Sequence, residues 1–528
     1  MTMRDETMPP QVWLLLVRLL PFVALLYLAA KQVAKRSKSK QLKNGRRLPP
    51  SPPGLPWIGH LHLVGFNPHV SLRDLAARHR RGGGLMLVRL GSVPTLVVSS
   101  ARAAEAVTRT HDHLLASRPP SAAARTLLYG PLDVIFAAYG EPWRQAKKLL
   151  TTHLLTARKV RAFRAGREEE VRLAVAKLAG AAASGEAVGM SELLYGFTAD
   201  LMCRAVSGRM LNVDGRSRIF RELLNLSEEL VVGFNVGDYF PWLLRVGAYR
   251  RAISARANKV RNRWDELLDT VIDEHDERNK VQQQEPADFI EVLLSHQQEY
   301  GLTRDQRLCS FSIQGHINTT KLATDIFVAG TDTSYLVLEF AMAKLLSNPR
   351  VMSRLQEEVR NNVQNRQDIL TEDDLTGMAY LKAVIKETLR LHPPAPLLVP
   401  HHSMSDVEID GCMVLLKHLF SLTDGLLVGT RDAEEFKPER FLDMGSEAAV
   451  NFKGTDFQFL PFGAGRRMCP GINFSISTLE IMLANLVYRY DWEVPTVMGK
   501  TSLDMTEEFW LTLHLKQKLL LVPKPPGV

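Results

Sequence analysis

Apolar residues recur at helical spacing along most of the chain, which predicts a mainly α-helical fold. The clearest exception is residues 85–100, where two strand-like runs are separated by Gly91 and Pro94 and predict a hairpin. A long, mostly apolar helix is expected from about Lys321 to Leu346. The other helical patterns cover residues 101–111, 142–180, 190–206, 217–231, 247–275 and 335–366. We therefore expect a mainly α fold with a minor β-sheet region.

The N-terminal segment has the pattern of a membrane anchor. Residues 12–30 are apolar apart from Arg18, and this length is about enough to span a bilayer core of ~30 Å. A basic stretch from Lys31 to Arg47 follows, with eight basic residues and no acidic one. A cleaved signal peptide is the alternative, but the long apolar run and its basic flank favour an anchor. The positive-inside rule then places the body of the chain in the cytosol.

The chain after this segment reads as one large unit. Residues 31–56 form a basic and proline-rich hinge, whose prolines make it stiff and extended. It acts either as a passive spacer or as a segment that orients the following domain against the membrane. Residues 57–528 are long enough for two or three domains, but some large folds bury a single core at this size. We expect a membrane anchor over 1–30, the hinge, and one catalytic domain over 57–528.

The net charge and the cysteine spacing argue against a nucleic-acid-binding protein and against a disulfide-rich or zinc-binding one. The formal net charge is +9, and subtracting the eight basic residues of the flank leaves +1, so nothing indicates a nucleic-acid partner. The four cysteines have no C-x-x-C spacing and predict neither a disulfide framework nor a zinc site. These cysteines are consistent with a protein that resides in a reducing compartment.

The stretch from Phe462 to Gly471 carries the strongest chemical signal. Cys469 lies in a glycine-rich loop directly before a helical pattern over residues 472–488. The positive end of a helix dipole and free backbone N–H groups favour a thiolate. A thiolate in this position is a ready axial ligand for haem iron. A lone cysteine is more often a small buried apolar residue, so the assignment depends on the surrounding pattern.

Three neighbours of Cys469 complete that pattern. Gly465 and Gly471 allow sharp turns and a close approach to a flat cofactor. Arg467 can pair with a haem propionate, since a guanidinium binds carboxylate well.

A second motif interrupts the apolar helix near residue 330. Ala329 to Ser334 places a glycine and four polar residues in a helical interior, where glycine costs roughly 1 kcal/mol against alanine. Sequences often break local rules at functional sites. The alternative is a helix N-cap formed by Thr or Asp.

A third motif is Glu387 and Arg390, spaced i,i+3 in a helical pattern that stops at Pro393. Such pairs are usually solvated surface charges worth a few tenths of a kcal/mol. Arg440, in the sequence Pro-Glu-Arg-Phe, is a candidate third member of the group.

Together these motifs resemble the cytochrome P450 family over essentially the whole chain. The cysteine loop has the order F-x-x-G-x-R-x-C-x-G, and residues 329–334 match (A/G)-G-x-(D/E)-T-(T/S) at all six positions. The E-x-x-R pair is followed by L-x-P-P. The sequence resembles the plant microsomal members, and residues 234–242 and 395–411 look most like the flavonoid-oxidising branch, flavone synthase II and flavanone 2-hydroxylase.

The resemblance implies the P450 fold, haem b as cofactor and roles for named residues. Cys469 would be the iron ligand, and Phe462, Gly465, Arg467 and Gly471 of its loop would help bind the haem. Asp332 and Thr333 would relay protons during oxygen activation. The lock, defined as Glu387, Arg390 and Arg440, would hold the segment ahead of the loop.

Three further residues match propionate-binding positions of the family. Trp143 and Lys147 fit its W-x-x-x-(R/K) helix, although such a pair is more often a surface packing pair. His401 lies where relatives carry a propionate-binding Arg or His, and the alternative is an ordinary solvent-facing histidine.

The implied activity is a monooxygenase at the cytosolic face of the endoplasmic reticulum. It would use O2 and electrons from NADPH–cytochrome P450 reductase to oxidise a small hydrophobic or aromatic plant secondary metabolite, with a flavanone as the candidate in flavonoid biosynthesis. Two alternatives stand beside it. One is a haem-thiolate isomerase or dehydratase that needs no O2, and the other is a non-catalytic remnant.

Two regions depart from the family pattern. Residues 412–436 lack the expected Pro-x-x-Thr and Asn-x-Trp-Ala runs, which predicts a weakened lock and impaired haem retention. Residues 309–318 read as an insertion ahead of the central helix.

Overall fold

The computed structural model describes twelve parts of the chain, and the predicted anchor, most of the hinge and the 309–318 insertion lie outside them. The described residues are 47–79, 83–128, 133–208, 216–232, 235–281, 288–296, 299, 319–363, 367–422, 432–442, 448–495 and 503–526. Within them the chain is mainly helical with small β-sheets, as the hydrophobic pattern predicts.

The long helices begin and end close to their predicted limits. The central helix runs over Thr319–Ser347, and the helix after the cysteine loop over Ile472–Arg489. The described α-helices are Pro68–Arg78, Ala101–Glu105, Asp112–Leu115, Ala122–Leu127, Glu141–Leu149, Ala157–Ala162, Arg164–Ala176, Ala179–Ser184, Met190–Ser207, Arg216–Val232, Val236–Tyr239, Gly247–Val281, Phe289–Ser295, Thr319–Ser347, Pro349–Asn361, Ala379–Leu391 and Ile472–Arg489.

The expectation of continuous helix over 142–180 is wrong. The first helix ends at Leu149 and continues as one π-helical stretch, Leu150–Leu154. Thr156 then starts a new helix, because its hydroxyl accepts a hydrogen bond from the Lys159 N–H at 3.2 Å. The pattern over 335–366 is likewise divided, since Pro349 stands at the first position of a separate helix.

The described strands form four small sheets. The strands are β1 Leu85–Leu90, β2 Val93–Val98, β3 Val188–Gly189, β4 His401–His402, β5 Val407–Ile409, β6 Cys412–Val414, β7 Leu419–Leu422, β8 Asp491–Glu493, β9 Glu507–Phe509, β10 Leu513–Leu515 and β11 Leu520–Lys524. In the largest sheet, the order is β1-β2-β7-β4, with β1 and β2 antiparallel as the predicted hairpin and β7 parallel to β2.

The irregular segment 412–436 therefore still contributes structure. Its strand β6 pairs with β5, and its strand β7 pairs with both β2 and β4. Because β4 carries His401, this segment positions one of the predicted site residues.

The central helix forms the axis of the main core. Phe327 on this helix stacks on Trp264, and its ring lies edge-on to Phe220. In the described part of the chain, Leu322–Ser347 is the one helix long and apolar enough to cross a membrane, and 78% of its most apolar stretch is buried inside the protein. It is therefore a core helix.

Candidate active site

A cavity lies between the central helix and the cysteine loop, with a volume of about 280 Å³. The central helix contributes Ile326, Ala329 and Thr333 to its wall, and the loop contributes Phe462 and Cys469. Most of its surface is apolar. A mostly apolar cavity with a few polar groups is typical of a site for a cofactor or small ligand.

Cys469 opens into this cavity from its loop. The Cys469 N–H donates to the Phe462 carbonyl at 2.9 Å, which closes the loop three residues before the helix at Ile472. The helix has no side-chain cap, so its first N–H groups contribute positive potential near the sulfur. Burial raises the pKa of the Cys469 thiol, while the Gly471 N–H and the charge of Lys147 lower it. A metal ion at the sulfur would displace the proton.

Three cationic side chains line the cavity near Cys469. Arg467 donates to the carbonyls of Ala116 at 2.7 Å and Ala137 at 2.6 Å, and its guanidinium lies 4.0 Å from the centre of the Trp143 ring. Lys147 donates to the Met468 carbonyl. Burial lowers the pKa of Arg467 to about 10 and that of Lys147 to about 8.

The third cation is Arg118, which the sequence did not indicate. It is buried and donates to the carbonyls of Ile135 at 2.9 Å and Pro400 at 3.0 Å. Burial, followed by repulsion from Arg467, lowers its pKa well below the usual range. Its importance depends on carbonyl groups far away in the sequence, so no local pattern could have revealed it.

Trp143 and His401 also line the cavity. Trp143 is buried and donates its indole N–H to the Val134 carbonyl at 3.0 Å, so the surface-pair interpretation is wrong. His401 is also buried, with Nδ1 3.2 Å from the Leu115 carbonyl, so the solvent-facing interpretation is wrong as well. Burial lowers the pKa of His401 far enough to keep its imidazole neutral.

The donor set fits haem. Arg118, Arg467 and Lys147 repel one another in a buried cavity, and Asp133 supplies part of the compensating charge. A buried cation is costly without a paired anion. Two propionates would provide that pairing at one edge of the cavity, while the apolar wall would accept a flat ring and Cys469 an iron ion.

The two predicted glycines have different roles. Gly465 has φ +67°, and a Cβ there would lie 2.1 Å from the Thr108 carbonyl oxygen. Gly465 does not line the cavity, so packing against Thr108 explains it rather than contact with a cofactor. Gly471 does line the cavity but has φ −85°, so it needs no special backbone freedom. Gly463 has φ +68° and also lines the cavity, so it is the loop glycine that needs backbone freedom there, and the sequence analysis did not identify it.

Gly465→Ala should destabilise the loop by more than backbone strain alone. Strain at positive φ costs about 1–3 kcal/mol, and the clash with Thr108 adds to it. Gly185→Ala is the matched control, since Gly185 has φ +71° and no neighbour within 4 Å. We expect a larger fall in the thermal unfolding midpoint for Gly465→Ala. Equal shifts would contradict the packing explanation.

The motif on the central helix is interior to that helix and is not an N-cap. Thr333 lines the cavity and donates to the Ala329 carbonyl at 2.8 Å. Asp332 is buried but is not part of the cavity wall, because successive helix positions point in different directions. Its Oδ2 lies 3.9 Å from His514 Nε2. The structure thus brings Thr333, but not Asp332, to Cys469's cavity.

Gly330 allows close packing against a neighbouring helix. A Cβ at Gly330 would lie 2.7 Å from the sulfur of Met202, and both residues line the cavity. The missing side chain of Gly330 therefore leaves room for the Met202 thioether.

The lock is assembled beside the cavity. Glu387 accepts from Arg390 Nε at 2.7 Å and from Arg440 Nε at 3.0 Å, with all three side chains almost completely buried. Arg390 also donates to the Ala433 carbonyl at 2.7 Å, and Arg440 to the Asp432 carbonyl at 2.9 Å. The irregular segment therefore contributes carbonyl groups to the lock that it was expected to weaken.

Comparison with known proteins agrees with this geometry. The model of the family described as cytochrome P450 matches residues 49–521. An indole-2-monooxygenase of Zea mays is 49% identical over 96% of this chain and 94% of its own length. An indolin-2-one monooxygenase of Zea mays is 47% identical over 97% of this chain and 95% of its own length. A 3-hydroxyindolin-2-one monooxygenase of Zea mays is 46% identical over 96% of this chain and 94% of its own length. With its cysteine loop, cationic pocket and buried Glu–Arg lock in place, the chain belongs to the cytochrome P450 monooxygenase family.

Proposed function

We propose that this chain is a haem-thiolate monooxygenase that oxidises a small aromatic plant metabolite with O2 and electrons from NADPH–cytochrome P450 reductase. The observation that carries the proposal is that Cys469 and Thr333, from the loop and the central helix, line the same mostly apolar cavity. The first provides an iron ligand and the second a hydroxyl group on the substrate side.

The residues of the cavity have separate tasks. Haem bound through the Cys469 thiolate supplies the oxygen activation, because a thiolate ligand favours O–O cleavage. Arg118, Arg467 and His401 would hold the propionates of a bound haem. Thr333 places a hydroxyl group at the cavity wall, where a proton relay needs one.

The substrate is proposed to be a fused bicyclic aromatic of indole size. The named relatives act on indole and on indolinones, and they match almost the whole chain. Ile326, Ala329 and Val337 give the central-helix wall an apolar surface that suits a flat aromatic ring. The alternative substrate is a flavanone, which the resemblance of the sequence to the flavonoid-oxidising branch suggests. Comparing NADPH-dependent product formation from indole and from a flavanone in microsomes decides between them.

The proposed location is the endoplasmic-reticulum membrane, with residues 1–30 as a single span and the body in the cytosol. Exposed aromatic side chains beyond the hinge support contact with lipid, since Trp57 is 86% and Phe66 99% exposed. Alkaline carbonate extraction of the full chain should leave it in the membrane pellet, and release into the supernatant would contradict a spanning anchor.

Thr333→Ala should uncouple NADPH consumption from product formation. Loss of the hydroxyl at the cavity wall removes a placed proton source, which is worth roughly 10²–10⁴-fold in rate. NADPH use, hydrogen peroxide and product would be measured together, with Thr331→Ala as control because Thr331 does not line the cavity. Unchanged turnover that needs no NADPH would instead identify an isomerase or dehydratase.

A further inference from the structure

The central helix brings one acidic side chain to the wall of the cavity. Asp325 is buried, and among the described residues that line the cavity it is the one carboxylate. Its Oδ2 accepts a hydrogen bond from the Val134 N–H at 2.7 Å. Two other lining residues of the same helix, Ile326 and Ala329, are apolar. Asp325 is therefore a strong hydrogen-bond acceptor beside apolar neighbours.

The bond to Val134 does not by itself explain a carboxylate at this position. A backbone N–H needs a single acceptor, and a neutral side chain such as asparagine supplies one. Burying a carboxylate costs more free energy than burying a neutral amide unless its partners stabilise the charge. Negative charge beside Arg118 and Arg467 comes from Asp133. A carboxylate has about four acceptor positions on its two oxygens, so the bond to Val134 does not exhaust the capacity of Asp325.

Asp325, Ala329 and Thr333 share one face of the central helix, because helix residues four apart lie one above the other. Ala329 is exposed although it belongs to a core helix, since it faces the cavity. The rise of an α-helix places Asp325 and Thr333 about 12 Å apart along its axis. A flat ring held at Asp325 would lie over Ala329, with its far edge toward the Thr333 hydroxyl group.

We propose that Asp325 binds the ring N–H of the substrate and so selects nitrogen heterocycles over aromatic rings of the same shape that lack a donor. This inference rests on the proposed function and narrows its substrate class. Indole and the indolinones have a ring N–H in common, whereas the ring system of a flavanone has none. Hydrogen bonds to a charged acceptor are roughly twice as strong as those between neutral groups, so Asp325 binds this N–H more strongly than a neutral hydroxyl group does.

Rejection of a ring without a donor has the same physical cause. Such a ring excludes water from Asp325 when it fills the cavity, and it offers the carboxylate no hydrogen bond. Sites that hydrogen-bond a substrate group discriminate strongly against analogues without that group for this reason. We expect indole to bind about 10- to 100-fold more tightly than benzofuran, in which oxygen replaces the N–H.

Equilibrium binding to the full-length haem protein in lipid nanodiscs is the direct test. Indole, 1-methylindole and benzofuran would each be titrated, and the dissociation constant would be read from the change in the Soret band. Wild-type protein should prefer indole over both analogues. Equal affinities for indole and benzofuran would overturn the inference, as would a failure to bind either indole or indolin-2-one.

Asp325→Asn is the most informative variant. The carbonyl oxygen of asparagine keeps the bond to the Val134 N–H, which turns its NH2 group to the position of the other carboxylate oxygen. An NH2 group only donates, so the preference for indole should be lost while haem content stays as in the wild type. Asp325→Leu should also lose the preference, with a lower unfolding midpoint because Val134 loses its acceptor. Wild-type preference in Asp325→Asn would overturn the inference.

Asp456→Asn is the matched control. The Asp456 carboxylate also accepts from a backbone N–H, that of Asn451 at 2.8 Å, but Asp456 does not line the cavity. This change should leave the preference for indole intact. Loss of the preference in the control as well would overturn the assignment to Asp325.

Turnover separates this inference from the proposed function. Wild-type protein that forms no NADPH-dependent product from indole, indolin-2-one or a flavanone overturns the monooxygenase function. Active wild-type protein with equal kcat/KM for indole and benzofuran overturns the role of Asp325 alone. A KM that rises for indole but not for benzofuran in Asp325→Asn supports both.

Discussion

Replacing Cys469 with serine should abolish the red-shifted Soret band of the reduced, carbon-monoxide-bound protein, together with product formation. A serine hydroxyl at this position is neither as acidic nor as strong an electron donor as a thiolate, so iron would lose its axial ligand. The measurement is the reduced carbon-monoxide difference spectrum of the full chain in microsomes, normalised to protein by immunoblot.

Cys412→Ser is the matched control for this change. Cys412 lies in β6, outside the cavity wall, so its replacement should leave the band intact. A band that survives in the Cys469→Ser protein would show that iron is held by another residue. The proposed function would then fail.

Replacing Glu387 with glutamine should destabilise the protein by about 3–5 kcal/mol, the cost of leaving buried charges unpaired. Glu387 is completely buried, and two guanidinium groups meet its carboxylate. Glutamine keeps the shape but removes the negative charge, so Arg390 and Arg440 would repel each other. We expect a lower denaturant midpoint and less haem per chain.

Glu141→Gln is the control for a surface pair of the same spacing. Glu141 and Arg144 are also i,i+3, but their side chains are 59% and 56% exposed. Exposed pairs are usually worth about 0–1 kcal/mol. Equal destabilisation by the two substitutions would contradict the burial argument for the lock.

The local motifs could be predicted from the sequence because each is defined by residue types at a fixed short spacing. The cysteine loop, the polar interruption of the central helix and the E-x-x-R pair all lie on the elements that the pattern predicted. The burial of Glu387 was not visible in its i,i+3 spacing, since exposed pairs such as Glu141–Arg144 have the same spacing. Family resemblance supplied what spacing alone did not.

The features that sequence did not reveal depend on contacts between distant segments. Arg118 is held by carbonyl groups of residues 135, 399 and 400, and His514 by residues 335 and 512. The helix break at Thr156 was available from sequence, because threonine is a strong N-cap residue. The helical spacing of apolar residues on both sides of Thr156 hid this N-cap.

The parallel pairing of β2 with β7 sets the order in which the chain can fold during synthesis. Residues 95–98 leave the ribosome early, but their partners at 419–422 emerge tens of seconds later at about 5–20 residues per second. Until then the β1–β2 hairpin has an open edge that can pair with another nascent chain. A truncated product ending before residue 419 would keep this edge permanently, and His401 would have no strand to hold it. Quality control of this protein is therefore expected to act most strongly on chains that stop between β2 and β7.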